Sequence, residues 1–358
     1  MYTIYIRTLK RVDHSVFCVE KEQKIYWEPQ FKRQMPYSSG QQIKRSLITS
    51  LTSILNEIPS PTTFVSKVTM KGKALEFDGE GEVFATCNPL YTDQLFGGWM
   101  KAETGKPVYK RRSPLSISAM RPLHPFLGGI EKENLSFDRK DRPNNEVIVK
   151  IKEGKNLREL SSEEITNFLE NREKQTSLTS KFIQEKERAS GLFVQDIALD
   201  LRRLFCVLLN KLEPEITNET ETKLREAGWE ETQTVFGTCL VAPKDVREKL
   251  IPALAHAIIN WSITSNQSRT FSLMETLAVS VSGNANKIAG SIRAKLKEEE
   301  ENKAEPIIEE EMAGVDTFVT LSAGGYIRTK KESVDALDKA EQALINKMIA
   351  FNYENQLN

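Results

Sequence analysis

The chain has 358 residues, 39% of them hydrophobic and 8% aromatic, which is enough apolar material for one large or two ordinary domains. Its 50 basic and 50 acidic side chains cancel, so any surface that binds nucleic acid must be a local basic patch. The four cysteines and three histidines lack zinc-ligand spacing, and no stretch approaches the roughly 20 apolar residues of a membrane helix. We therefore expect a folded cytoplasmic protein with reduced thiols, no membrane segment, no metal and no cofactor.

The first predicted element is a strand at residues 3–9, where β-branched and aromatic residues alternate with polar ones. A long irregular connection, residues 10–37, leads to Ser39, which forms a Ser-x-x-Gln capping box with Gln42. A helix is expected to follow and to end before Pro59. Its apolar face repeats at helical spacing, at Ile43, Leu47, Leu51, Ile54 and Leu55.

Strand-like segments follow at residues 64–70 and 75–85, and a Gly-Glu-Gly interruption in the second indicates a hairpin or a bulge. Region 88–130 is rich in Gly and Pro. Within it, Leu95 and Phe96 are the predicted core anchors of a short helix closed by glycine.

The next predicted elements are a strand at residues 146–151 and a helix capped by Ser161 or Ser162 that runs to about residue 171. The polar stretch 172–190 is interpreted as a projecting loop.

Strand-like segments at residues 192–204 and 232–241 flank a polar helical insert near residues 219–227. The clearest helix follows the breaker Pro243, with Pro252 as its expected kink. Its apolar repeat consists of Val246, Leu250, Leu254, Ile258 and Trp261.

The end of the chain combines two more strands with a closing helix. The strands are expected at residues 271–281 and 317–322, and the helix at residues 333–351. Between the two strands, the Glu-rich segment 297–311 is interpreted as a solvated acidic loop.

Basic residues cluster near the first predicted helix, two of them in its first turn. Free backbone N–H groups at a helix start favour phosphate, and cations reinforce that preference. The candidate RNA contacts of this region are Lys32, Arg33, Ser39, Gln41, Lys44 and Arg45. An ordinary helix start with surface cations is the alternative interpretation.

Two later segments have a related composition. One places an aromatic residue among cations, which suits phosphate contact with base stacking, although a cationic surface strand is the alternative. Its candidate residues are Tyr109, Lys110, Arg111 and Arg112.

The other later segment is a polar loop that can hold a backbone phosphate or be a simple turn. Its candidate residues are Asn266, Gln267, Ser268 and Arg269.

Signatures of common enzymes are missing from the sequence. It contains no nucleophile elbow, no P-loop, no zinc-protease motif and no catalytic Cys/His pattern. His14, His124 and His256 are far apart along the chain. The sequence therefore predicts a binding protein and not an enzyme.

Taken in order, these motifs resemble the Cas-seven branch of the repeat-associated (RAMP) proteins, the backbone subunits of Cascade-type CRISPR complexes. Segment 37–45 resembles the small-residue helix start of that family, which a basic residue follows. Segment 93–97 resembles its D-x-L-F-G element, and segment 111–116 is similar to its R-x-S-P segment. Segment 266–269 resembles a late loop that touches RNA in relatives. The pattern covers most of the chain, although each motif is short.

The resemblance implies an α+β fold with a ferredoxin-like, RNA-recognition-like palm, large inserted fingers and a thumb hairpin. The corresponding division is palm at 1–85, fingers at 86–171, thumb at 172–190, and the second half of the palm at 191–358. Such subunits bind crRNA, stack head to tail as copies of themselves, contact other Cascade subunits and leave the guide free to pair with target DNA.

The thumb is the part of the resemblance with the most specific residue assignments. Apolar residues on a projecting polar hairpin need a surface to cover, and insertion between stacked bases supplies one. The candidate thumb residues are Leu178, Lys181 and Phe182. A flexible surface loop is the alternative.

The resemblance leaves the subtype open. Type III relatives cut target RNA with an Asp in a glycine-rich loop after the first strand, whereas residues 10–35 contain no glycine and Asp13 as their only Asp. This departure favours a non-cleaving type I subunit, near type I-B. The alternatives are a type III-like subunit that cleaves target RNA, a guide-processing endoribonuclease hinted at by Gly324, Gly325 and Tyr326, and a structural protein that binds no RNA.

Overall fold

The computed structural model describes residues 1–17, 23–72, 74–79, 81–103, 105–138, 142–154, 156–170, 180–263, 271–298 and 300–357. At residues 133–138, 153, 180–186 and 301 it describes the backbone alone. The described chain divides into two units. The larger unit is Met1–Ile130 together with Ala189–Asn358, and the smaller unit is Glu131–Arg188.

Strands supply most of the regular structure. In chain order they are β1 Thr3–Ser15, β2 Ile25–Glu28, β3 Arg33–Pro36, β4 Thr63–Val65, β5 Val68–Lys71, β6 Ala74–Phe77, β7 Glu82–Phe84, β8 Trp99–Lys101, β9 Tyr109–Arg111, β10 Leu115–Ile117, β11 Arg121–Pro122, β12 Gly128–Asp138, β13 Lys150–Glu153, β14 Asn156–Glu159, β15 Ser180–Asp200, β16 Cys206–Leu208, β17 Glu230–Thr234, β18 Gly237–Val241, β19 Thr276–Ser282, β20 Ile292–Lys297, β21 Glu300–Ile308, β22 Asp316–Thr320 and β23 Glu332–Ser333. The helices are α1 Gly40–Leu55, α2 Thr92–Gly97, α3 Ser162–Glu170, α4 Leu201–Leu204, α5 Asn218–Glu226, α6 Lys244–Asn260, α7 Ala285–Ser291 and α8 Ala336–Ile349.

The central sheet has the strand order β10-β15-β1-β19-β22-β23. Strands β15, β1, β19 and β22 alternate in direction, whereas β22 and β23 are parallel. Because β15 and β19 are both antiparallel to β1, they run parallel to each other, and α6 lies in the connection between them. This mixed sheet with helices confirms the predicted α+β class.

Strand β1 lies at the centre of the sheet and sends alternate side chains to its two faces. On one face Ile4, Ile6 and Val12 join the main core, to which α1, α6 and α8 contribute their apolar side chains. On the other face Leu9 belongs to a smaller core with Val319 and neighbours from β20 and β21. The strand predicted at residues 3–9 is confirmed and is longer than expected.

The predicted irregular connection at residues 10–37 is wrong in two places. Strand β1 continues to Ser15, because β15 pairs with it along that whole length, with one irregularity after Val12. Strands β2 and β3 then form an antiparallel hairpin. Each strand of this hairpin has only four residues, so the alternation is too short to separate from the surrounding charged sequence.

Helix α1 begins where its capping box predicts, and it ends before Pro59 as expected. The Ser39 hydroxyl accepts a hydrogen bond from the backbone N–H of Gln42, and Asn56 closes the helix in the left-handed conformation. Ile54 is exposed, so the buried stripe is narrower than predicted. Helices α5, α6 and α8 confirm three further predictions, with Pro252 inside α6. No helix in the described ranges is long and apolar enough to cross a membrane.

Residues 63–84 form a nested antiparallel hairpin in which β4 pairs with β7 and β5 with β6. Strand β6 ends at Phe77 and strand β7 begins at Glu82, so the strand is interrupted where the Gly-Glu-Gly segment predicts it. The reversal itself lies earlier, between Lys71 and Ala74. The predicted strand at residues 232–241 is likewise a hairpin, made of β17 and β18.

The interpretation of residues 297–311 as an acidic loop is wrong, because β21 pairs with β20 over most of this segment. The many acidic residues of this segment favoured a solvated loop in the sequence prediction. In the structure, ion pairs between Lys295 and Glu298 and between Lys303 and Glu300 reduce the repulsion among these acids. Pro306 is compatible with the hairpin because each strand of a two-stranded sheet has a free edge.

The smaller unit contains the hairpin β13–β14 and helix α3. The predicted cap is confirmed as a reciprocal box: Ser161 Oγ accepts from the N–H of Glu164, and the Glu164 carboxylate accepts from the N–H of Ser161. The strand predicted at 146–151 begins later, as β13. Residues 180–190, interpreted as loop, are strand β15, which also pairs with β12. The boundaries of palm, fingers and thumb stay predictions.

Candidate nucleic-acid interface

The start of α1 is held against the central sheet by a close backbone contact. A Cβ atom on Gly40 would lie 2.3 Å from the carbonyl oxygen of Ile117, so glycine is needed for the helix to begin this near to β10. Ser39 caps the helix, and its Oγ also accepts a hydrogen bond from Lys24 Nζ at 3.4 Å. Gln41 is exposed beside it. Two predicted contacts, Ser39 and Gln41, therefore lie on a rigid helix start.

The three family-like motifs that the structure describes meet behind this helix start. Lys44 Nζ donates to the carbonyl of Gly97 at 2.7 Å, and Ser113 Oγ donates to the carbonyl of Phe96 at 2.8 Å. Arg111 donates to a third carbonyl of α2. The three motifs therefore pack against one another, and several of their polar side chains form hydrogen bonds within the protein.

The two cations in the first turn of α1 have different environments. Lys44 is half-buried, and burial together with the charge of Arg111 lowers the pKa of Lys44 to about 8. Arg45 is exposed. Of this predicted pair, Arg45 is the residue that can reach a phosphate without losing an internal hydrogen bond.

The β2–β3 hairpin carries the other two predicted cations of this region. Lys32 is exposed in its turn, with φ of 50°, and Arg33 is exposed at the start of β3. Arg33 Nη1 donates to the carbonyl of Pro125 at 2.8 Å, and its guanidinium lies 5.6 Å from the ring centroid of Phe126. The guanidinium is therefore held in place at the surface by a ring and a carbonyl.

A second arginine, which was not among the predicted contacts, also lies against an aromatic ring. Arg121 is exposed on β11, with its guanidinium 4.8 Å from the ring centroid of Tyr26. Tyr26 in turn meets Tyr37 edge-on at 5.9 Å between ring centroids. No local signal links Arg121 to Tyr26, because they lie far apart along the chain. The adjacent aromatic residues Tyr26 and Trp27 were the one local hint that this segment is more than a charged loop.

We call the set Tyr26, Lys32, Arg33, Tyr37, Arg121 and Phe126 the hairpin surface. Lys24 directly precedes β2. Glu28 is the one acid on β2 and β3, and its carboxylate accepts the N–H of Phe31 in the turn. Cations held against aromatic rings can contact phosphates and stack on bases. The hairpin surface therefore has the local positive charge that the neutral whole chain lacks.

The predicted segment Tyr109–Arg111 with Arg112 is divided between surface and core. Lys110 and Arg112 are exposed and line a cavity of about 570 Å³ together with Arg203 and Lys211. Tyr109 is half-buried and packs on the main core. The segment is a basic surface on one side only, since alternate residues of a strand face opposite ways.

Arg111 is the exception among the predicted contacts, because it is 3% exposed. Its guanidinium donates to the carbonyls of Leu95, Arg203 and Cys206 and lies 3.8 Å from Glu215. Burial lowers the pKa of Arg111 and raises that of Glu215, and the charge of each partner opposes the shift of the other. The prediction that Arg111 touches RNA conflicts with this burial, and Arg111 instead ties α2 to β16.

Several predicted residues lie outside the described residues. These are Asn266, Gln267, Ser268, Arg269 and Leu178. Lys181 and Phe182 lie on β15, where the backbone alone is described. Their assignments as RNA and thumb contacts stay predictions.

Asp13, expected in a loop after the first strand, lies within β1 and is exposed near its end. Its carboxylate lies 3.3 Å from Arg11, and its N–H donates to Ser272 Oγ at 3.1 Å. Arg11 also lies 3.6 Å from Glu275 and 4.8 Å from the ring centroid of Tyr326. Within the described ranges, no three His, Cys, Asp or Glu side chains are grouped so that they could hold a metal ion.

Two solved structures match this chain at low similarity. A chain of a "CRISPR RNA-guided surveillance complex, pre-nicking" has a TM-score of 0.44 and 9% identity, over 78% of this chain and 77% of that chain. A chain of a "CRISPR RNA-guided surveillance complex" has a TM-score of 0.42 and 10% identity, over 95% and 99% of the two chains. No protein-family model and no curated protein matches this chain. Scores this low assign neither family nor function.

Proposed function

We propose that this chain is a guide-RNA-binding backbone subunit of a type I CRISPR surveillance complex. The observation that carries the proposal is the hairpin surface, where Arg33 and Arg121 lie on aromatic rings beside the glycine-dependent start of α1. The resemblance of the ordered motifs to the Cas-seven branch supplies the particular family. Type I-B or a near relative is the subtype that the first loop favours.

In this proposal the cations of the hairpin surface bind the phosphates of the guide. Phosphate contacts fix the register of a bound strand and carry no sequence information, so they serve any guide equally. A strand held by its backbone keeps the edges of its bases free to pair with target DNA. Ser39 and Gln41 add neutral donors at the helix start.

The proposal also assigns roles to the larger pieces of the chain. The ferredoxin-like palm comprises residues 1–85 and 191–358, which belong to the larger unit, and the alternating directions of β15, β1, β19 and β22 are in keeping with it. The fingers lie in residues 86–171, and the thumb in 172–190 inserts between bases. Copies of the chain stack head to tail along the guide.

Co-expression with a CRISPR array tests the proposed function directly. The purified protein is expected to carry RNA, visible as a raised ratio of absorbance at 260 to that at 280 nm, and sequencing of that RNA should return spacer sequences of the array. The matched control is expression without an array. Protein free of nucleic acid in both preparations contradicts the proposal.

We propose further that the assembled complex does not cut RNA. Asp13 and Glu275 both contact Arg11, which already neutralises their negative charge, and the described residues contain no group of three His, Cys, Asp or Glu side chains that could hold a metal. Labelled RNA complementary to the guide is expected to stay intact when incubated with the complex and Mg²⁺. The variant Asp13→Ala is expected to behave like the wild type. Regularly spaced fragments that vanish in Asp13→Ala place the protein with the target-cleaving relatives instead.

A further inference from the structure

A second group of cations lies around a cavity beside β9, apart from the hairpin surface. The cavity has a volume of about 570 Å³, which is in the range of small-molecule sites. The cations that line it are Lys110, Arg112, Arg203 and Lys211. They come from three parts of the chain: the β9 segment, helix α4 and the connection between β16 and α5. Only the folded chain brings these charges together.

Three of these cations have no acidic partner. Within the described part of the chain, Lys110, Arg112 and Lys211 form no ion pair, and all three are exposed. By contrast, Lys101 on the neighbouring strand β8 pairs with Glu103 at 3.1 Å. Like charges around a concave site repel one another, and an anion placed between them removes that repulsion. The cavity therefore favours a negatively charged ligand.

The fourth cation, Arg203, and the loop beside it are held in place by contacts within the protein. The guanidinium of Arg203 lies 4.0 Å from the ring centroid of Phe236 and 3.8 Å from the carboxylate of Glu215. That carboxylate accepts the N–H of Leu208 at 2.9 Å, and the backbone carbonyl of Glu215 accepts Trp99 Nε1 at 2.7 Å. Because the wall is fixed before a ligand arrives, binding costs little conformational entropy.

The balance of charge indicates how much negative charge the ligand carries. Glu213 and Glu215 also line the cavity. Glu215 is buried, and its carboxylate lies 3.8 Å from Arg111 as well as from Arg203. With Arg111 included, five cations face two carboxylates. A terminal phosphoryl group carries about two negative charges and a carboxylate carries one, so the surplus of cations favours a phosphoryl ligand.

We propose that this cavity binds a phosphoryl group, with Arg112, Arg203 and Lys211 as its contacts. Guanidinium groups suit phosphate oxygens because they can donate two parallel hydrogen bonds. The described lining contains no aromatic side chain, so the cavity recognises the phosphoryl group and does not stack a base. The inference goes beyond the proposed function, which assigns the guide to the hairpin surface. The phosphoryl group belongs to a second stretch of nucleic acid or to a small phosphorylated molecule.

Inorganic pyrophosphate is the probe, and isothermal titration calorimetry at low ionic strength measures its affinity. The double variant Arg112→Gln with Lys211→Gln is expected to bind pyrophosphate at least about 10-fold more weakly than the wild type, because it loses two charged contacts. Both side chains are exposed, so the fold should persist. The charge-matched control, Lys223→Gln with Lys244→Gln, removes two cations that pair with acids and should bind pyrophosphate like the wild type.

A triple variant of the hairpin surface separates this inference from the proposed function. With Lys32, Arg33 and Arg121 replaced by Gln, pyrophosphate should bind as it does to the wild type, since none of these side chains lines the cavity. Pyrophosphate binding that is lost in the triple variant and kept in the double variant overturns the cavity site and leaves the proposed function standing. A wild type that binds pyrophosphate and no RNA overturns the proposed function alone.

Labelled single-stranded RNA identifies the source of the phosphoryl group. Weaker RNA binding by the double variant assigns the cavity to nucleic acid, whereas normal RNA binding with lost pyrophosphate binding assigns it to a small phosphorylated molecule. A capped triglutamate peptide of similar charge is expected to bind far more weakly than pyrophosphate. A peptide that binds as tightly as pyrophosphate overturns the proposal in favour of an acidic protein partner. Pyrophosphate that binds neither protein, or binds the wild type and the double variant equally, also overturns it.

Discussion

Replacing Lys32, Arg33 and Arg121 together by Gln is expected to weaken binding of single-stranded RNA by at least about 10-fold at 0.1 M salt. The three cations belong to the hairpin surface, and all are exposed. Each phosphate contact releases condensed counterions from the RNA, so the loss of a contact also makes the RNA affinity depend less on salt concentration. The slope of log affinity against log salt concentration should flatten by about 2, at about 0.7 for each contact on a single strand.

A second triple variant controls for the loss of net charge. Lys223, Lys244 and Lys339 lie on α5, α6 and α8 with side chains 54%, 78% and 58% exposed, and each pairs with an acid one helical turn away. Replacing them by Gln changes the net charge equally and costs each helix only about 0.5 kcal/mol. RNA affinity should stay within about two-fold of the wild type. Equal losses in the two variants mean that the hairpin surface is not the binding site.

The substitution Arg111→Ala is expected to lower the free energy of unfolding by about 3–5 kcal/mol, which is a large part of the stability of an ordinary domain. It removes Arg111 from Glu215, whose buried carboxylate then keeps Arg203 at 3.8 Å, and it removes the donors to three backbone carbonyls. Urea denaturation followed by circular dichroism measures the loss. The slope of the unfolding free energy against urea concentration should be unchanged if the wild type and Arg111→Ala both unfold in one step.

The neighbouring residue supplies the control for Arg111. Arg112 is exposed, so Arg112→Ala should change the free energy of unfolding by no more than about 0.5 kcal/mol. At a temperature where both variants are folded, Arg111→Ala should bind RNA like the wild type. Normal stability with weakened RNA binding in Arg111→Ala would falsify the buried role and return Arg111 to the RNA contacts.

Local signals in the sequence were enough to locate several elements of the fold. The alternation at residues 3–9 predicts β1, and the Ser39 cap with its apolar repeat predicts α1. The repeat that ends at Trp261 predicts α6, and the Ser161 box predicts α3. These predictions hold because capping and side-chain periodicity depend on residues only a few positions apart. The α+β class follows from the same signals.

Only the tertiary structure decided which cations face solvent and which rings meet them. Arg111 and Arg112 are alike in sequence, yet adjacent residues of a strand point to opposite faces, and the inward face is set by α2 and β16, which are distant along the chain. Arg121 belongs to the hairpin surface because its guanidinium lies against the ring of Tyr26, which is also distant along the chain. The sequence by itself determined the elements with strong local signals and showed where the basic residues cluster along the chain. Long-range packing determined the surface, because burial and cation–ring contacts depend on residues that come together only when the chain folds.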